Sequence, residues 1–532
     1  MPEEKRLDDS AAIVVGSGPA AMAASVALLA AGRRVLMLDA GLTLEDRQTR
    51  LVQTLTAEPS AQWRTSPAAS FLREGMTANV KGIPLKLAYG SDYPYRTVAG
   101  AAQVECVDAH TQPSFAYGGF STVWGASMMP YLQSDLGKWP VSADNLADHY
   151  AAVLQHVPMA GRVDDLAEIF PLHTTPGELP LSAQASSLLG TLASGRDKLR
   201  KKGVYAGASR LAARFDGNPP CAKCGLCMYG CPHGLIYAAS FTVEKLKKDP
   251  RFTYVPGIHV QRVREENGTA TVHGHNLSSN QPVTYSSDRV FLGAGVIGTT
   301  EILLRSLEAY GRELTLRDSQ YFLQPCLRLS GVSGVQQEAL HTLAQAYLEI
   351  VDKAVSDYSI HLQVYTYNEL FGVALSGAAG PLKGLLPANA LLSRLILLQG
   401  YLHSDESSTL TCSLERTGEE DKLRVKGVTN PETRKVMGKV QRKLMTVSPL
   451  TGLVPLLPLL RKGDPGRGFH TGGSFPMKTT PGEFESDVLG RPAGFSRIHA
   501  VDSSVFPSVP ATTITLTSMA NAHRIASQAA AL

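Results

Sequence analysis

Residues 11 to 39 constrain the fold more than any other stretch of the chain. AAIVV at 11 to 15 is a short apolar run rich in β-branched residues, as in a strand buried on both faces of a parallel sheet. GSGPAA follows, then AMAASVALLAAG, a strong helix former ending at Gly32, then a second strand, RVLMLDAG, with Asp39 at its end. The pattern is Gly16-x-Gly18-x-x-Ala21 with an acid 23 positions after Gly16. Gly16 permits a tight turn, Gly18 lets the backbone approach a pyrophosphate, and Ala21 is small enough for close helix–strand packing. The helix start then points free N–H groups at the phosphates, and Asp39 can accept from ribose hydroxyls. Strand, turn, helix, strand and acid in this order predict a Rossmann-like α/β domain with a dinucleotide site, rather than a glycine turn serving packing alone. The motif does not separate FAD from NAD.

A chain of 532 residues exceeds what one hydrophobic core organises, so two or more lobes are expected. The net charge of +4 is small for this length, and no basic run alternates with aromatics, which argues against a nucleic-acid partner. MPEEKRLDDSAAIVVG carries no apolar signal region, and no stretch of about 18 apolar residues suggests a membrane span. A cytoplasmic location is the expectation.

Four of the seven cysteines, Cys221, Cys224, Cys227 and Cys231, fall in PPCAKCGLCMYGCPHG with the spacing C-x2-C-x2-C-x3-C-P. Bacterial iron–sulfur runs share this spacing, because soft thiolates hold iron. Zinc fits less well, since structural zinc sites pair two separated dyads. The alternative is a reduced, tightly turned loop in which Gly225, Gly230 and Gly234 provide the bends. Cys106, Cys326 and Cys412 are scattered and odd in number, unlike a disulfide framework.

Three later segments carry a resemblance: YGGFSTVWGASMMP at 117 to 130, RVFLGAGVIGTTEILLRS at 289 to 306, and HTGGSFPM at 470 to 477 leading to AVDSSVFPSVPATTITLTSMANAHRIA. Together with the N-terminal motif, the chain resembles the glucose–methanol–choline (GMC) oxidoreductases, FAD enzymes that oxidise alcohols. Residues 306 to 465 contribute nothing to that resemblance. His470, Gly473, Ser474 and Met477 fit the family pattern H-x-x-G-[ST]-x-x-M, and Asp502 to Pro507 resembles the segment that reaches back to the flavin. GGFSTVW and TLTS are similar to the pyranose oxidases, the sugar-oxidising branch. The resemblance implies cofactor contacts at Gly118, Gly119, Ser121, Thr122, Trp124, Val260, Gly295, Asp502 and Thr513. Val123 stands where that branch places a flavin-linking histidine, which implies a non-covalent FAD. Thr513 stands where the family has His or Asn; its hydroxyl can donate to a substrate oxygen but is no base near neutral pH. That leaves His470 as the implied base, with an ordinary imidazole pKa near 6.5 suited to the role. Related dehydrogenases carry a similar cysteine segment, some with a cluster, and iron here would give flavin electrons an exit to an external acceptor.

The function implied is oxidation of the CH–OH group of an alcohol, a sugar or glycoside by branch resemblance, with a hydrophobic alcohol or sterol as alternative. A flavin or iron–sulfur electron carrier without alcohol chemistry is the alternative of another class. The FAD lobe is expected to comprise 1–130, 220–305 and 466–532, and an α+β substrate lobe on a mainly antiparallel sheet 131–219 and 306–465. FTYVPGIHVQRVREENGTATVHG reads as strands around a turn at Asn267-Gly268. The apolar stretches at 372–402 and 435–462, broken by glycine and proline, read as buried helices or a lid, with a membrane-surface element as the other reading. Trp124 and Trp139 read as packing residues.

Overall fold

The computed structural model describes residues 3–6, 11–63, 65–74, 85–369, 388–418 and 420–532. The strand predicted at 11 to 15 is the centre of a five-stranded, wholly parallel sheet. Its order is Ile498–Ala500, Arg289–Leu292, Ala11–Val15, Arg34–Leu38, Phe252–Val255. Both faces are covered, so Ala11–Val15 is buried at every position, which is why an unbroken apolar run encodes it. The helix Pro19–Ala30 starts with proline at its first turn and is buried from Ala20 to Leu29, because the last helix, Ile514–Ala530, lies along it. Small residues on both helices allow that approach.

Asn267 and Gly268 take positive φ of 51° and 74° and join Ile258–Glu266 to Thr269–Asn276, the hairpin that the Asn-Gly pair encodes. Pro282–Ser287 and then Glu3–Arg6 extend this smaller sheet.

A larger antiparallel sheet runs in the order Leu453–Pro455, Tyr321–Arg328, Leu395–Tyr401, Ile360–Tyr365, Ala346–Ile350, Val204–Ala208. Strand alternation gives it two unlike faces. Phe322, Leu362, Val364, Ile396 and Leu398 point into a core shared with Val436, Val440, Leu444 and Val447 of the helix Pro431–Thr451. Tyr321, Tyr365, Gln399 and Tyr401 point the other way, towards a cleft against the parallel sheet. Thus the stretch from 435 lays its apolar residues on this sheet, as a buried helix. Of the 372–402 stretch, 372–387 lies outside the described residues, and Leu395–Tyr401 is a strand within the sheet. No helix among the described residues is long and apolar enough to cross a membrane.

A third sheet stitches the two together: Thr471–Gly472, Glu313–Asp318, Thr409–Thr417, Glu420–Val428 and Gln103–Val107. Its last pair is parallel and joins residues expected in different lobes.

Candidate active site

Between the parallel sheet and the antiparallel sheet lies a cleft of about 420 Å³, a size suited to cofactors and small ligands. Three helices begin at it, Pro19–Ala30, Gly295–Ser306 and Ile514–Ala530, and none of the three has a side-chain cap at its N-terminus. Their first N–H groups and the positive ends of their dipoles converge on one space, which favours an electron-rich, anionic ligand.

The backbone leaves room for it. Gly16 has φ of 93°, and a methyl group there would lie 2.6 Å from the Gly293 carbonyl oxygen, so only glycine makes this turn. A methyl group at Gly18 or Gly295 would meet no protein atom within 4 Å; both open into the cleft. Ala21 packs against Gly293, where a methyl would come within 2.8 Å of its Cβ, the close helix–strand contact expected of it. At the end of Arg34–Leu38, Asp39 accepts from Ser17 Oγ at 2.5 Å and Tyr254 Oη at 3.0 Å, and burial pushes its carboxyl up to about 6. Ser17 Oγ in turn accepts from the Gly118 N–H at 2.9 Å, tying the GGFSTVW segment to the first turn.

Gly119, Ser121, Trp124, Val260 and Asp502 also line the cleft. Ser121 Oγ accepts from the Ala239 N–H, and Trp124 Nε1 donates to the Tyr237 carbonyl. Asp502 accepts from Thr299 Oγ1 at 2.5 Å and from the Ser504 N–H at 2.9 Å, and burial pushes its pKa up. Gly118 and Thr122 support the wall from behind: Gly118 turns with φ of 96°, and Thr122 Oγ1 donates to the Gly119 carbonyl. Val123 is buried in an apolar group with Ala88, Tyr93 and Ala116 and offers no atom for a flavin link.

His470 sits where the antiparallel sheet meets the cleft. Its ring stacks on Tyr401 with centroids 4.6 Å apart, and its carbonyl accepts from the Ser319 N–H at 3.0 Å. Nδ1 is buried with no hydrogen-bond partner among the described residues. Burial holds the imidazole down at about 3, with nearby His361 acting in the same direction. The ordinary value near 6.5 expected from its residue type is therefore corrected: desolvation keeps this ring neutral. Behind Tyr401, His361 Nδ1 meets Glu349 Oε1 at 2.5 Å, both fully buried. The other motif residues have structural roles: Gly473 turns at φ of 76°, Ser474 Oγ accepts from Thr300 Oγ1 at 2.7 Å, and Met477 is fully buried.

Thr513 needs a correction. It is the buried residue just before the last helix, and its Oγ1 accepts from the Met129 N–H at 3.1 Å. Its neighbours Ile514, Thr515 and Ser518 reach the cleft, whereas Thr513 is not among the residues that line it. The hydroxyl expected to orient a substrate oxygen stands outside the cleft lining.

The cysteine run needs another. Among the described residues, no three His, Cys, Asp or Glu side chains converge to hold a metal, so Cys221, Cys224, Cys227 and Cys231 do not form the cradle expected of a cluster. Burial, with the neighbouring thiols acting in the same direction, raises Cys221 and pushes Cys224 up to about 12 and Cys231 up to about 11, so these are protonated thiols. The residues between the cysteines explain the turn instead. Leu226 and Tyr229 are buried with Leu55, Trp63 and Leu72, and a methyl at Gly230 would strike the Tyr89 ring at 2.5 Å. Met228 alone of this loop reaches the cleft.

Residues that sequence reasoning passed over complete the site: Lys86, Tyr95, Tyr321, Tyr365, Gln399, Tyr401, Arg467 and Phe469. Half of them, Tyr321, Tyr365, Gln399 and Tyr401, come from strands in the stretch without family resemblance, where alternation in HLQVY and ILLQGY marks a two-faced strand.

Three solved structures share this architecture over nearly the whole chain. Pyridoxine 4-oxidase from Mesorbium loti is 16% identical, with a TM-score of 0.58 over 97% of this chain and 98% of that one. Formate oxidase is 13% identical, with a TM-score of 0.59 over 100% and 99%. A substituted formate oxidase from Aspergillus oryzae RIB40, described for its effect on FAD modification, is 12% identical, with a TM-score of 0.59 over 99% and 98%. At such identities the likeness is one of fold. No family model and no curated protein matches the sequence.

Proposed function

Given a chain with the GMC oxidoreductase fold, we propose that it is an FAD-dependent oxidoreductase acting on the CH–OH group of a small molecule. The observation that carries this reading is the convergence of three uncapped helix N-termini and the Gly16–Gly18 turn on one side of a cleft whose other side holds His470. We keep the division into a flavin lobe of 1–130, 220–305 and 466–532 and a substrate lobe of 131–219 and 306–465, since the cleft takes its lining from both.

Gly16, Gly18 and the first turn of Pro19–Ala30 would hold the pyrophosphate, Asp39 the adenosine ribose, and the N-terminus of Ile514–Ala530 the electron-rich edge of the ring. FAD, when bound, supplies a hydride acceptor. The protein's part is to hold the carbinol, exclude water and take its hydroxyl proton. We assign the proton to His470, a reading supported by a ring that is neutral, half-buried and held flat by Tyr401. Tyr321, Tyr365 and Gln399 supply hydroxyl and amide groups for a polar substrate, which favours a polyol or sugar over a sterol. Purified protein is expected to show flavin absorption that bleaches anaerobically with members of an alcohol and sugar panel. A bound flavin that no alcohol reduces would leave the electron-carrier reading in its place.

The low proton affinity of His470 has a kinetic signature. A base with its pKa held at about 3 is in its active form at every pH above that value. The rate of anaerobic flavin reduction is therefore expected to lack the acid limb near pH 6 to 7 that an ordinary histidine would give. Stopped-flow reduction between pH 5 and 8 checks this, and a limb near 6.5 would contradict the buried state of the ring.

A further inference from the structure

The helix Pro431–Thr451 lays Val436, Val440, Leu444 and Val447 on the antiparallel sheet and turns Arg434, Lys435, Arg442 and Met445 outward. After it the chain runs back along the sheet edge as Leu453–Pro455, the turn Leu457–Leu459 and Arg461–Lys462, which pairs with Leu323 and Phe322. Gln441 Nε2 donates to the Leu457 carbonyl at 3.0 Å, so helix and edge form one surface. Three large apolar side chains are exposed here: Met445 at 41%, Leu457 at 42% and Leu329 at 64%. The Leu329 N–H donates to the Gly452 carbonyl at 2.9 Å, which ties it to the helix end. Charge is concentrated in the same place. From 431 to 462 there are seven Lys and Arg and one acid, Glu432. The whole chain has 51 and 47, so its other 500 residues hold 44 Lys and Arg against 46 Asp and Glu and are slightly acidic. Glu432 pairs with Lys435, and Asp352 with Lys443. Arg434, Arg442, Arg461 and Lys462 are exposed and enter no ion pair among the described residues.

Either feature alone describes an ordinary surface. Together, exposed leucines and methionine among unpaired cations on an otherwise slightly acidic protein complement one kind of partner, a sheet of anionic headgroups over hydrocarbon. We propose that this edge docks the protein on an anionic lipid surface. The long Arg and Lys side chains reach the headgroups, while Met445, Leu457 and Leu329 enter the boundary beneath them. The stretch from 431 to 462 holds no aromatic residue to stack on bases, which separates it from a nucleic-acid surface. Docking also sets the cleft beside the bilayer. The Gly463 N–H donates to the Tyr321 carbonyl at 2.9 Å, and Tyr321 and residues 467 to 470 line the cleft, so the attached edge continues directly into its wall. The inference stands apart from the oxidoreductase reading, since attachment needs no turnover.

The test is co-sedimentation of the whole chain with vesicles of phosphatidylcholine containing phosphatidylglycerol, against vesicles of phosphatidylcholine alone, at low and at high salt. Binding is expected with the anionic vesicles only, and it is expected to weaken at high salt, as screening requires. Each Lys or Arg brought to such a surface strengthens attachment about 5-fold, equivalent to about 1 kcal/mol. Arg442→Glu combined with Arg461→Glu is therefore expected to lower binding by at least about 25-fold. Met445→Ser combined with Leu457→Ser is expected to weaken binding while its salt dependence remains. Lys245→Glu combined with Lys248→Glu, which alters exposed cations at the helix Ala239–Leu246, is expected to leave binding unchanged. Melting temperatures are measured alongside, and should a double variant fail to fold, Arg442→Gln and Arg461→Gln taken singly carry the same comparison. Absence of binding, equal binding to both kinds of vesicle, or an equal loss in the Lys245 and Lys248 variant overturns the proposal. So does capture of polyglutamate in preference to vesicles, which would assign the surface to an acidic protein.

Discussion

Replacing His470 by alanine is expected to slow alcohol-dependent flavin reduction by about 10²- to 10⁴-fold, the usual span of one general base, while the protein keeps its flavin. The argument is one of separation. The groups suited to hold the cofactor are helix N-termini and glycine backbone, and His470 belongs to neither. Its ring packs on Tyr401, and its main-chain bond from Ser319 survives truncation. Loss of rate with retained visible absorption therefore isolates the proton acceptor. An unchanged rate would remove His470 from the mechanism and point to another group facing the cleft.

Gly18→Val is expected to fold and melt close to the parent apoprotein yet weaken flavin binding by about 100-fold or more, since a side chain there blocks the backbone approach on which such turns depend. The backbone at Gly18 has φ of −66° and ψ of 177°, an extended conformation that valine adopts readily. A methyl at this position meets nothing in the protein itself, so the damage falls on the ligand. Gly16, with its positive φ and the Gly293 carbonyl at 2.6 Å, would confuse folding with binding. Colourless, folded Gly18→Val is the expected result. A full complement of flavin would mean that the phosphates lie elsewhere.

Legibility in the sequence followed physical locality. Residues 11 to 39 were readable because a buried parallel strand, a glycine turn and an alanine-rich helix each leave a signature within one short window. The Asn267-Gly268 hairpin was readable for the same reason. His470 came from its motif, but its depressed proton affinity is a product of burial beside Tyr401 and His361, which no local pattern reports. The role expected of Thr513 failed because the residue stands outside the cleft lining, with its Oγ1 accepting from Met129, 384 positions away. Cysteine spacing is one-dimensional: the loop path is set by Leu226 and Tyr229, whose burial against Trp63 turns the chain without arranging a metal cradle among the described residues. Lys86 and Arg467 share a cleft only through tertiary folding.

The central parallel sheet has its edge strand at Ile498–Ala500, and the helix Ile514–Ala530 both covers Pro19–Ala30 and brings Thr515 and Ser518 to the cleft. The turn at residues 16 to 21 thus depends for a complete cleft on residues some 480 or more positions further along the chain. On the ribosome, a chain arrested before about residue 500 lacks a sheet edge, one cleft wall and one of the three dipoles. On the flavin reading proposed above, a truncation that removes the strand Ile498–Ala500 and the helix Ile514–Ala530 is therefore expected to abolish cofactor binding as well as the packing of the sheet edge.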